Sequence, residues 1–540
     1  MAGPVVVLAA AGVLMGVFAA PAAPVEPAPR LLGLAVGNGS APFAGDRRLL
    51  TTVSPNGDGF RERAIVTFRL DRPARVRLDV VQTDSIRRAA IRPQTVWTTT
   101  RRFLPGRHRL VWRPRRTATA RTYVLRLMVT GIRGARRLYG LPRPGPRPRV
   151  VAPVVRVLGV SASFPRPSYA PGDNANVSIA TDARSLRFQV FTLAKISHPS
   201  EADLRAGGEA MTPAVTLDWR GHRNAPSRVR VRTGEWPSGL YFLRITASDG
   251  RVGYAPFILR PRRLGTRRVA VVLSTNTWQA YNLDDANGDG WGDSWHVSGA
   301  IRAIDLRRPF LDFGVPLRFR DWDLTVVSWL STTGKSVDYL SDDDLAHVSD
   351  GAALVRRYDL VVFPGHEEYV TAHVYDVVSR YRDLGGNLMF LSANNFFWRV
   401  VRHGPYLTRV AQWRRVGRPE AALVGVQFDA GDDGGRQGSY RVTGASTDPW
   451  AFAGTGLANG DRFGTYGLGI DKRAPSSPRG TRALARIPNL MGPRRSAEMS
   501  YYELRGAKVF AAGVLNFAAS ADQPAVSRLL ENVWERLSRP

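Results

Sequence analysis

Asp359-Leu360-Val361-Val362-Phe363-Pro364-Gly365-His366-Glu367-Glu368-Tyr369 opens the stretch whose reading decides the fold, and Asn387-Leu388-Met389-Phe390-Leu391-Ser392-Ala393-Asn394-Asn395 closes it. Each begins as a short continuous apolar run, the pattern of a strand buried on both faces. Between them Val374, Val377, Val378 and Tyr381 recur at helical spacing, with Thr371 placed as the N-cap and Gly385-Gly386 as the stop. Strand, helix and strand in that order predict a βαβ unit whose two strands lie parallel. Loops that follow parallel strands open on one edge, so His366, Glu367, Glu368 and Tyr369 should meet Asn394 and Asn395 in a single crevice.

Working outward, Val269–Leu273 is another continuous apolar strand and Val337–Leu340 leads into Asp342-Asp343-Asp344. Val509–Leu515 supplies a late strand, and Val526–Leu537 reads as an amphipathic closing helix. Strands alternating with helices predict a parallel, doubly wound α/β domain over residues 267–540. Upstream the pattern changes. Ala64–Leu70 and Ala74–Val80 alternate apolar and polar residues, as half-buried strands do. Such short strands predict one all-β sandwich over 45–140 and a second over 154–262, joined by the Pro/Arg linker 141–153.

Composition narrows the chemistry. The 540 residues hold 76 Lys+Arg against 45 Asp+Glu, a net charge of +31. Nearly all of that is arginine, with lysine only at 195, 335, 472 and 508, and it is scattered rather than gathered into a nucleic-acid module. That pattern argues against specific nucleic-acid recognition and for surface association with anionic envelope polymers. No cysteine is present, which excludes disulfides, thiolate metal sites and a thiol nucleophile. The apolar run Val5–Ala20, followed by small residues through Ala23, reads as a signal peptide or N-terminal anchor over 1–23 and predicts a secreted or envelope-associated protein.

Two resemblances add to this. Ser54-Pro55-Asn56-Gly57-Asp58-Gly59 resembles the opening of Ig-like modules of the flagellar-hook type. Thr275–Asn282 (TNTWQAYN), Phe363–Tyr369 (FPGHEEY), Phe390–Trp398 (FLSANNFFW) and Ala497–Glu503 (AEMSYYE), in that order, resemble the C-terminal domain of the N,N-dimethylformamidase large (beta) subunit. That resemblance implies a class I glutamine-amidotransferase-like α/β fold and a mononuclear iron held by two tyrosines and a glutamate. Tyr369 stands where the family places one tyrosine. Where the second tyrosine and the glutamate are expected, the chain reads Asp323–Val326 and Tyr406–Thr408 instead.

The candidate site residues follow. Tyr369, His366, Glu368 and Asn394 are the catalytic candidates; Trp278, Tyr281 and Asn395, with Phe397 and Trp398, are candidates for lining a pocket made by the loops 275–282, 364–370 and 392–398. The competing structural roles are a helix cap for the His366–Glu368 group, tight turns for the asparagines and core packing for the aromatics. Separately, Asp285, Asn287, Asp289 and Asp293 fall at positions 1, 3, 5 and 9 of an EF-hand-like loop with Gly290 at 6, though His296 replaces the Glu at 12; calcium is the ion such a loop would take. Two readings remain: a scaffold binding a ligand or envelope glycan, and a metal-assisted hydrolase of small amides.

Overall fold

The computed structural model describes residues 27–87, 90–140, 152–193, 208–297 and 301–539; the expected leader over 1–23 and positions 141–151 of the linker lie outside them. Alternation builds the first module as its pattern requires. In Ala64–Leu70, Ala64, Val66, Phe68 and Leu70 are buried, while Thr67 and Arg69 face solvent. Its three-stranded sheet (Leu31–Gly37, Ala64–Leu70, Gly106–Trp112) and a six-stranded sheet share one apolar core. Val154–Val157, expected to open the second module, pairs with Leu50–Val53 and Thr122–Gly131 and so completes the first. A short apolar strand carries no local mark of which sheet will take it. The second module repeats the plan, with three strands facing six across a core around Val177, Leu186, Trp219 and Ile245.

The doubly wound α/β domain expected over 267–540 does not hold as a description. The chain is mostly β, and its C-terminal part is β-rich too. The largest sheet has nine strands, in the order Asp338–Ser341, Val269–Leu273, Leu360–Phe363, Asn387–Phe390, Ala507–Ala511, Ala497–Leu504, Arg482–Ile487, Gln437–Val442 and Arg462–Gly467. The first five pair in parallel, and the pairing of 360–363 with 387–390 is the one read from sequence. The other four continue antiparallel. A second sheet of four strands (Ala303–Asp305, Tyr406–Gln412, Trp398–His403, Tyr369–Thr371) and a pair (Gln427–Gly431, Gly469–Lys472) flank it. Helix is scarce: among the described residues only Ala372–Asp383 and Pro524–Leu537 run longer than eight residues. The buried runs revealed the parallel strands, whereas no strand is predicted from sequence for the antiparallel members between residues 437 and 504. No helix among the described residues is long and apolar enough to cross a membrane.

What matters for the site is the edge where the 360–363 and 387–390 strands end. Thr371 accepts from the Val374 amide and caps the 372–383 helix, which ends before Gly385 at φ +95°. The cap is therefore Thr371, and His366, Glu367 and Glu368 are left for other work.

Candidate functional site

The two loops close on each other through main-chain and amide contacts. Asn395 accepts the Glu367 amide at 3.1 Å through its side-chain oxygen and donates to the Ser392 carbonyl at 3.0 Å. Phe396 donates its amide to the Glu367 carbonyl at 2.6 Å. Asn394 takes the left-handed conformation, φ +57°, and its amide donates to both oxygens of Asp471. Asn395 is thus a strut between loops and Asn394 a turn residue. The Asn394 side-chain oxygen is buried with no hydrogen-bond partner.

At the centre stands Glu368. Its Oε2 accepts the Tyr281 hydroxyl at 2.7 Å and lies 2.9 Å from His366 Nε2. His366 Nδ1 is 2.9 Å from the Ala393 carbonyl, which can only accept, so Nδ1 carries a proton. The contact of Nε2 with Glu368 then requires one further shared proton. Tyr369 lies beside the group, its ring 6.3 Å from that of Tyr281, and its phenol feels the charges of Glu368 and Arg409. Burial, with the adjacent Glu368 charge second, pushes both the Tyr281 and Tyr369 phenols well above their ordinary range. Tyr281 therefore serves as a hydroxyl donor to the carboxylate.

The surroundings are aromatic. Trp322 meets the His366 ring at 5.3 Å, and Trp295 packs on Tyr369 at 4.9 Å. The Arg409 guanidinium lies over Trp398 at 4.5 Å and Trp295 at 5.5 Å. His366 is 1% exposed, Glu368 4% and Tyr369 2%. Tyr281 is only half-buried, and the exposed His296 stacks on it at 4.9 Å. These two rings mark the way in from solvent.

Beneath the loop lies a second acidic layer. Glu367 is fully buried, and neither carboxylate oxygen has a donor. Burial first, and Asp342 second, push it well above the ordinary carboxylate range. Two carboxyls can meet only when one keeps its proton, so Glu367 faces Asp342 as the neutral acid. Asp323, raised by burial to about 7, accepts from Trp278 Nε1 at 3.0 Å. Trp278 therefore packs in the core against Phe319 rather than lining the crevice.

Of the residues picked from sequence, Tyr369, His366, Glu368 and Tyr281 come together. Asn394 and Asn395 shape the loop beside them. Phe397 is buried against Phe428, and Trp398 belongs to the Arg409 stack. The segment 275–282, expected as a loop, is the helix Thr275–Tyr281, buried along nearly its whole length. Arg409, Trp295 and Trp322 were not legible, because each reaches the site from a distant element. The Asp285–Asp293 loop forms, but its own amides fill the carboxylates: Asp285 accepts from Gly288, Asp289 and Gly290, and Asp293 from Ala286 and Asn287. Asn287 Nδ2 donates to Asp293, and Asp289 accepts from Trp291. A calcium ion would have to displace these bonds. Among the described residues no group of three or more His, Cys, Asp or Glu is arranged to hold a metal.

Comparison with known proteins agrees with the motif evidence. Residues 224–528 match the family model described as N,N-dimethylformamidase beta subunit-like, C-terminal. The N,N-dimethylformamidase beta subunit of Paracoccus aminophilus is 28% identical over 281 residues, covering 44% of this chain and 35% of the relative. The beta subunit from Alcaligenes sp. matches with the same identity and coverage. The chain thus spans about a third of the length of these relatives. Motifs, site and a match over more than half the chain concur: the protein belongs to the N,N-dimethylformamidase beta subunit-like family through its C-terminal part.

Proposed function

We propose that the crevice around Glu368 hydrolyses the carbon–nitrogen bond of a small amide, giving a carboxylic acid and an amine. One observation carries this: a buried carboxylate accepts the Tyr281 hydroxyl and meets His366 Nε2, with the Tyr369 phenol beside them. The relatives' name, dimethylformamidase, supports the reaction class. The absence of cysteine rules out a thioester route.

The donor set fits the iron that the family resemblance implies. Glu368, Tyr281 and Tyr369 offer hard oxygen donors, none of them from 323–326 or 406–408, where the resemblance places the second tyrosine and the glutamate. When bound, such an ion supplies Lewis-acid polarisation of the amide carbonyl. The chain's own residues do the rest. His366, fixed by the Ala393 carbonyl, holds a proton at Nε2, where a leaving amine needs one. Tyr281 orients Glu368 and admits substrate at its half-buried edge. Arg409 holds a positive charge against the Tyr369 oxygen, and the aromatic wall keeps bulk water out.

The test is amine release from dimethylformamide and formamide by the purified full chain, alongside its iron content. Wild type should release amine, and Glu368→Gln should lose both activity and iron. Tyr281→Phe should lower turnover by roughly a hundredfold or more, with melting unchanged; Tyr369→Phe should lower it as well. Folded wild-type protein that releases no amine from either amide, or a fully active Glu368→Gln, would overturn the assignment and leave a ligand-binding scaffold.

A further inference from the structure

The second module presents a face that the amide site does not use. Ser227–Arg232 is the edge strand of its three-stranded sheet, paired antiparallel with Asn174–Ala180. Alternation turns Val229 and Val231 toward the module's core, so Arg228, Arg230 and Arg232 stand exposed in a row. The register sets Ser178, Asn176 and Asn174 opposite them, with Ser163 beyond Ser178. Three cations thus share a flat face with hydroxyl and amide side chains, and these facing residues include neither a carboxylate nor an aromatic ring. None of the three arginines has an ion-pair partner among the described residues. Arg77 and Arg126 on the first module, by contrast, are both taken by Asp79.

Spacing selects the partner. Alternate residues of a strand stand about 7 Å apart, the length of six main-chain bonds. A polymer of polyol phosphates with a three-carbon spacer also runs six bonds from one phosphorus to the next. Stretched out, its charges recur at about the same interval. We propose that this face binds a linear polyol-phosphate polymer laid along the 227–232 strand, with successive phosphates on Arg232, Arg230 and Arg228. The guanidinium fork suits a phosphate, and Asn174, Asn176 and Ser178 offer partners to the spacer hydroxyls. Extended single-stranded nucleic acid has a similar charge interval, but it draws affinity from bases stacked on aromatic rings, which this face lacks. Arginines on an edge also discourage strand addition, a role that needs charge and not spacing.

The experiment titrates synthetic poly(glycerol phosphate) into the full chain by fluorescence anisotropy, with an oligothymidylate of equal charge as comparison. The triple substitution Arg228→Gln, Arg230→Gln and Arg232→Gln should weaken the polymer roughly tenfold or more and flatten the salt dependence by about two units of slope. The triple Arg101→Gln, Arg102→Gln and Arg107→Gln removes the same charge from exposed sites on the first module and should change affinity by no more than about twofold. Melting curves confirm that both variants fold. Equal weakening in the two triples would mean that net charge alone acts and would overturn the proposal. So would oligothymidylate binding as tight as the polymer, or no binding to the polymer at low salt.

Discussion

Asp471 is the carboxyl on which the Asn394 turn rests, and its titration is the clearest residue-level consequence of the site's burial. Burial raises it to about 8, against the backbone amide of Asn394, which pulls the other way. In the unfolded chain the same carboxyl titrates near 3.9. Between those values the fold keeps a proton that the unfolded chain has released. Its contribution to stability is whole below about pH 4 and is lost as the pH climbs through about 8. Asp471→Asn keeps an acceptor for the Asn394 amide and removes the titration. Urea melts across that window should show the variant gaining on wild type toward the alkaline end; a constant difference at every pH would show that Asp471 does not hold its proton in the fold.

At the scale of single elements, the 372–383 helix and the loop before it make separate demands. Thr371→Ala removes the side-chain cap on the Val374 amide and should cost about 1 kcal/mol in denaturant unfolding. Amide hydrolysis should be little affected, because the cap touches none of the residues around Glu368. Gly365 is the opposite case. A Cβ there would meet Asp323 Oδ1 at 2.3 Å, backed by a carboxyl buried deep in the core. Gly365→Ala should therefore displace the loop that carries His366 and Glu368, lowering activity far more than stability. Equal losses in the two variants would argue against a loop held in place by that close approach.

Across the whole molecule, buried polar contacts join the modules. Arg61 is fully buried and donates to the carbonyls of Ala41, Pro42 and Arg223 and to Asn224, while Asp182 lies 4.0 Å away. Removing one partner of a buried charged network is expensive, so Arg61→Met should cost about 3–5 kcal/mol and expose the joint between the first and second modules to protease. Unchanged proteolysis and stability would show that the joint is held elsewhere. The acidic 285–293 loop joins the first module to the C-terminal part. Thr83 donates to the Gly290 carbonyl at 2.6 Å, Asp84 accepts the Gly292 amide at 2.5 Å, and Arg47 reaches the carbonyls of Asn287 and Gly288. The loop whose spacing resembles a calcium site also presents outer carbonyls and amides that dock onto another module.

The sequence by itself determined what local pattern can encode. The buried runs 360–363 and 387–390, the helix between them, its Thr371 cap and the loop bearing His366, Glu368 and Tyr369 all follow from residues near one another in the chain. Period and capping are set within a few residues, so they survive without tertiary knowledge. Tertiary structure decided the rest. Tyr281 and Glu368 stand 87 positions apart, and only the packing of a short buried helix against the loop makes them partners. Arg409 enters from a strand of the second sheet, and Trp278 turns to the core because Asp323 offers its indole a buried acceptor. The nine-stranded sheet likewise exceeds the doubly wound expectation because antiparallel strands reveal their pairing only through neighbours distant in sequence. Hydrogen bonding between strands depends on which edges meet, and that is a property of the folded chain rather than of any one stretch of it.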